Sequence, residues 1–106
     1  MAGNLPAGRP ARAARRYPYN RAMTHLLIAD DHPLYRLALT QAVRGVLPDA
    51  DIAEAEDLAG VHAALSARPH TDLVLLDLHM PGSHGLMGLA SLRAEHPGVA
   101  VAMIVA

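Results

Sequence analysis

Two acidic positions in this chain have a setting suited to phosphoryl or metal chemistry. Asp30-Asp31 closes the apolar run His25-Leu26-Leu27-Ile28-Ala29, and Asp77 closes a second run, Leu73-Val74-Leu75-Leu76. Three carboxylates brought into one crevice would repel, so a cation must neutralise them. A cluster of hard oxygen ligands suits Mg²⁺, which keeps several waters and binds through a few carboxylates. A metal beside a carboxylate in turn suits phosphoryl transfer, with an Asp oxygen attacking in line. Asp77 is the candidate nucleophile, and Asp30 and Asp31 are the candidate metal ligands. Each also has a plainer reading: an Asp after a strand often caps the next helix, and Asp31 could cap one starting at Pro33.

The elements that must position these residues follow from periodicity. The two apolar runs read as strands buried on both faces. Tyr35, Leu39, Val43 and Val46 recur at helical spacing after Pro33, and Pro48 follows. Asp51–Ala55 alternates weakly and reads as an edge strand. Asp57 is a plausible N-cap for a helix that carries Leu58, Val61, His62 and Leu65 on one face and stops at Pro69. A loop at residues 79–85 precedes a third helix marked by Leu86, Leu89, Leu92 and Arg93. Residues 99–105 form a fourth strand. This βαβαβαβ order predicts an α/β fold, a doubly wound parallel sheet with helices on both faces. In the flavodoxin-like strand order 2-1-3-4, the strands ending at Asp30 and Asp77 are neighbours, and sites form at the carboxyl ends of such strands.

Composition narrows the chemistry. With 106 residues the chain is one domain, and it has 52% hydrophobic residues for a core. There is no Cys, so thiolate metal sites, disulfides and Cys nucleophiles are excluded. All nine basic residues are Arg, which excludes a P-loop lysine and Schiff-base chemistry. Phe and Trp are absent, which disfavours base-stacking platforms. No Gly-x-Gly-x-x-Gly follows the first strand, so a dinucleotide site is disfavoured. The longest apolar run, residues 99–106, is too short to span a bilayer.

Charge is divided unevenly. Residues 1–22 hold five Arg and no acid, whereas residues 23–106 hold four Arg against ten acids. The first segment is rich in Ala, Gly and Pro and has no apolar period, so it reads as a disordered basic tail. Such an arm could touch nucleic acid or act as a transit segment. Met23, placed directly before the first strand as an initiator would be, favours an extension without function. No apolar leader core is present.

The segment Leu27-Ile28-Ala29-Asp30-Asp31-His32-Pro33-Leu34-Tyr35-Arg36 and the segment Leu75-Leu76-Asp77-Leu78-His79-Met80-Pro81-Gly82, with Gly85, resemble the receiver domain of two-component response regulators. The subgroup with a LuxR-type helix-turn-helix output is the most similar, and Glu54-Ala55-Glu56-Asp57 fits its second strand and turn. The resemblance covers residues 24–106. It implies a cytoplasmic phosphorelay domain in which Asp77 accepts phosphate from a sensor histidine kinase. Asp30, Asp31 and Asp77 would hold Mg²⁺ together with the backbone carbonyl of His79. Met80 and Pro81 would shape the loop, and Gly85 would allow its tight turn. Phosphorylation in this family biases a two-state surface that controls dimerisation and output. DNA would be reached only through an output domain outside these 106 residues, and no membrane role is implied.

The departures from the family pattern are specific. Val105 stands where the fourth strand usually ends in Ser or Thr, so a hydroxyl that would bond the phosphoryl group is replaced. The family's fifth-strand Lys has no counterpart, and the reading is of a receiver truncated after its fourth strand, with an exposed edge and a tendency to associate. A degenerate receiver acting through protein contacts is the alternative. An Asp-based phosphatase is disfavoured because Asp77-Leu78-His79 lacks a second carboxylate two residues on. The seven His match no standard zinc spacing. His32, His79 and His84 could lie near the crevice and recruit Zn²⁺ or Mn²⁺ in vitro, while His25, His62, His70 and His96 read as surface or strand-end residues. Met80, Met87 and Met103 read as packing residues. Ser83 and Ser91 belong to no hydrolase constellation.

Overall fold

The computed structural model describes residues 24–105; the tail at residues 1–22, Met23 and Ala106 lie outside the described residues. Strands β1 (His25–Ala29), β2 (Asp51–Ala55), β3 (Leu73–Asp77) and β4 (Ala100–Ile104) alternate with helices α1 (Pro33–Val46), α2 (Leu58–Ala67) and α3 (Leu86–Glu95). The four strands form one parallel sheet in the order β2-β1-β3-β4, as the flavodoxin-like reading requires. β2 and β4 are its edges.

Strand alternation divides the apolar residues between two faces. Leu27, Ala29, Val74 and Leu76 pack with Val61 and Leu65 of α2 and Leu92 of α3, forming the main core. On the other face, Leu26, Leu73 and Leu75 join Leu39, Val43 and Val46 of α1 around an open apolar groove of about 320 Å³.

α1 is therefore less buried than its apolar period predicts. None of its residues is buried, and Val46 is 79% exposed. The stripe exists, but Tyr35, Leu39 and Val43 are only half-buried, and Leu39, Val43 and Val46 line the groove without closing it among the described residues. Met87, read as a packing residue, is also exposed, whereas Met80 is buried and Met103 packs against the core. α3 is seated instead by Leu92 and by Gly88, where an added Cβ would meet Ser83 at 2.9 Å. Asp57 caps α2 as expected, accepting the Gly60 amide at 2.7 Å. The N-cap of α1 is His32, with no side-chain cap bond, so the capping reading of Asp31 does not hold.

Candidate functional site

The parallel register sets Ala29 of β1 beside Ala55 of β2 and Leu76 of β3. Asp30 and Asp77 follow Ala29 and Leu76, so they emerge side by side at the carboxyl ends of adjacent strands. Asp30 is 0% exposed and Asp77 is 1% exposed, while Asp31 lies at the half-buried rim. One potential ligand atom from each of Asp30, Asp31, His32 and Asp77 lies within 4.8 Å of all the others.

Local bonds orient these carboxylates. Asp30 Oδ1 accepts the His32 amide at 2.7 Å, and Asp77 Oδ1 accepts the His79 amide at 3.0 Å. Their second oxygens, Asp30 Oδ2 and Asp77 Oδ2, are buried and accept no hydrogen bond from the described residues. Asp31 Oδ1 is buried as well; it lies 3.0 Å from His32 Nδ1 but makes no hydrogen bond with the described residues. Buried carboxylate oxygens without donors are costly unless a cation meets them. These three oxygens belong to residues that bring ligand atoms within 4.8 Å of one another, a hard donor set of the kind Mg²⁺ takes. The residues present thus fit that ion.

Of the three His read as crevice neighbours, His32 joins the carboxylates; the side chains of His79 and His84 are not part of this cluster. His79 follows Asp77 in the turn, so its carbonyl belongs to the loop that rims the site. Gly85 has φ +64° and ψ −127°, backbone that favours glycine, as its expected turn requires. Val105 is exposed and directly follows Ile104, the register partner of Asp77.

Two residues matter here that their sequence context did not reveal. Arg36, in sequence only the end of the first family-like segment, donates to the Asp30 carbonyl at 2.7 Å and pairs with Glu54 Oε1 at 2.6 Å. It ties α1 and β2 to the strand end that carries Asp30, and its charge is spent on a backbone oxygen and Glu54. Ser83 is buried, with Oγ 2.7 Å from the Met80 carbonyl and 3.0 Å from that of Leu78. It folds the loop after Asp77 back on itself. Neither pairing is visible in spacing, because both depend on how the chain turns at a strand end.

Comparison with known proteins agrees with this geometry. The response regulator receiver domain family matches residues 26–106. The chain is 42% identical over 82 residues to the glycerol metabolism activator of Pseudomonas putida, covering 77% of this chain and 37% of that protein. It is 40% identical over 78 residues to the nitrate/nitrite response regulator NarL of Escherichia coli K12, covering 72% of this chain and 35% of that protein. A LuxR family DNA-binding response regulator from Silicibacter pomeroyi superposes with a TM-score of 0.66 at 33% identity, covering 77% of this chain and 62% of that one. The chain thus spans a little over a third of the length of these two curated relatives. With a parallel 2-1-3-4 sheet, paired carboxylates at its strand ends and this match across most of its length, the chain belongs to the response regulator receiver domain family.

Proposed function

We propose that this receiver accepts a phosphoryl group on Asp77 from the phosphohistidine of a sensor histidine kinase. The observation that carries the reading is the set of three buried carboxylate oxygens, on Asp30, Asp31 and Asp77, that accept no hydrogen bond from the described residues. Asp30, Asp31, Asp77 and the His79 carbonyl would hold Mg²⁺. When bound, the ion neutralises the carboxylates and the incoming phosphoryl oxygens. The chain's own residues do the rest. The His79 amide holds one Asp77 oxygen and so fixes the plane of the carboxylate. An Asp77 oxygen forms a bond to phosphorus while the P–N bond to the donor imidazole breaks, and the electron pair stays on the leaving nitrogen. The product is an acyl phosphate on Asp77, which makes the domain a signalling element and not a turnover enzyme. Arg36 holds the Asp30 strand end in place throughout.

The similarity to transcription regulators supports a parent protein in which phosphorylation controls dimerisation and DNA binding through an output domain. A cytoplasmic setting goes with the family reading; among the described residues no helix is long and apolar enough to cross a membrane.

Intact mass after incubation with a small phosphodonor, with and without Mg²⁺ and beside Asp77→Asn, tests the proposal. A Mg²⁺-dependent gain of one phosphoryl group, absent in the variant, is expected. Val105 favours a second reading, a receiver that acts by protein contacts without phosphate, because its side chain cannot bond a phosphoryl oxygen. A folded chain that takes up no phosphate would overturn the first reading and support the second.

A further inference from the structure

His62 and His96, which read separately as surface residues, are brought together on the core-facing side of the sheet, at a site apart from the carboxylate crevice. His62 Nδ1 lies 3.3 Å from His96 Nε2 and 3.3 Å from Glu95 Oε1. Its other nitrogen, Nε2, lies 3.0 Å from Ser91 Oγ. α2 supplies His62, α3 supplies Ser91 and Glu95 four residues apart, and His96 is the C-cap of α3. α3 leads away from the Asp77 loop for ten residues, about 15 Å, before it reaches these ligands.

From this arrangement we infer a second metal site, a His₂Glu site for a borderline divalent ion, Zn²⁺ foremost, that clamps α2 to α3. Three features carry it. The first is donor chemistry: two imidazoles and one carboxylate suit Zn²⁺, Co²⁺ or Ni²⁺, whereas Mg²⁺ takes oxygens. The second is spacing. Ligands about 2.0–2.1 Å from a tetrahedral zinc stand about 3.3–3.4 Å apart, and both distances from His62 Nδ1 match that edge. At 3.3 Å the same contacts are long for hydrogen bonds.

The third feature is the partner behind the ligand. In the tautomer that would bind a metal through Nδ1, His62 donates its Nε2–H to Ser91 Oγ and turns the Nδ1 lone pair toward His96 Nε2 and Glu95 Oε1. A hydrogen bond from the far side of the ring is the usual support of a metal-bound His. Glu95 is 64% exposed on its side chain, so water can reach the ion and complete the tetrahedron. Residues 1–23 contain no His, Asp, Glu or Cys, so the tail adds no competing ligand of these types.

The test uses the full 106-residue chain, stripped of metal and titrated with Zn²⁺ alone, with Co²⁺ as the spectroscopic probe. Asp30→Asn separates the carboxylate crevice, the other place where the ion could sit. One equivalent of Zn²⁺ is expected to bind, to raise the melting temperature and to be retained in Asp30→Asn. Co²⁺ should give the intense visible band of a tetrahedral centre. His62→Gln and His96→Gln should each weaken binding at least tenfold, and Ser91→Ala about tenfold, as loss of an outer-shell partner does. Glu95→Gln, at an exposed position that the fold does not need, should also weaken binding, which separates loss of a ligand from unfolding. Zinc affinity unchanged in Glu95→Gln and His62→Gln, binding lost only in Asp30→Asn, or no zinc bound by the folded chain would each overturn the proposal. None of these outcomes depends on phosphorylation of Asp77.

Discussion

Asp77 has one oxygen held by the His79 amide and one that accepts nothing from the described residues, and it shares its crevice with two more carboxylates. Without a cation, crowding like charges in a buried site costs stability. Asp77→Asn should therefore stabilise the metal-free chain, by on the order of 1 kcal/mol in a urea titration, while it abolishes the phosphate adduct. Mg²⁺ should raise the melting temperature of the parent chain and do so less in the variant, since ligand binding to the native state adds to its stability. A variant less stable than the parent without metal would show that the crevice carries no net repulsion. At the same scale, Arg36 bonds a backbone carbonyl, so its task is to set where Asp30 sits. Arg36→Ala should weaken Mg²⁺-dependent phosphorylation without removing any ligand to the ion.

At the scale of elements, the ends of the helices carry the local stability. The Asp57 side chain satisfies one orphan amide of α2, so Asp57→Ala should cost about 1 kcal/mol by chemical denaturation. Leu65 is among the largest fully enclosed core side chains, so Leu65→Ala should cost about 2–5 kcal/mol. α3 approaches its own N-terminal loop so closely at Gly88 that a Cβ would sit 2.9 Å from the Ser83 carbonyl oxygen. Gly88→Ala should displace that loop at a cost of about 1–3 kcal/mol, and phosphorylation of Asp77 should fall with it, because the same loop rims the site. An unchanged midpoint in any of these variants would contradict the packing described.

At the scale of the whole molecule, strand β2 is tied to its surroundings through Asp51. The His25 hydrogen bond, foremost, and the Arg68 guanidinium at 2.7 Å hold the Asp51 carboxyl below its ordinary value of 3.8, against the opposing effect of partial burial. A carboxyl whose native value is depressed contributes stability above its unfolded value, and the chain loses that contribution as pH falls through the native value. Acid unfolding should accordingly steepen below about pH 4. Asp51→Asn should flatten that part of the stability profile, which a pH series of urea midpoints would reveal. Among the described residues nothing covers the groove beside α1 or pairs with the outer edge of β4. Sedimentation should show mass rising with concentration, and a single monomeric species across the range would count against it.

Much of this protein is legible in its residue order. Continuous apolar runs set the strands, Pro33 and Asp57 mark helix starts, and the alternation of strand and helix implies a parallel sheet; the flavodoxin-like order 2-1-3-4, which brings Asp30 and Asp77 together, goes with the resemblance to receiver domains. Those signals are local or follow from chain handedness, so a single sequence carries them. What tertiary structure alone decided involves residues far apart in the chain. The apolar stripe of α1 exists in the sequence, but only the packed sheet reveals that no described residue closes the groove beside it. Arg36 and Glu54 meet across 18 positions, and His62 and His96 across 34. A histidine's neighbours are fixed by which helix faces pack against each other, and no periodicity within one helix encodes the contents of the next. For that reason the carboxylate crevice could be read from motifs, whereas the His62, Glu95 and His96 cluster appeared only when α2 and α3 were set on the same face of the sheet.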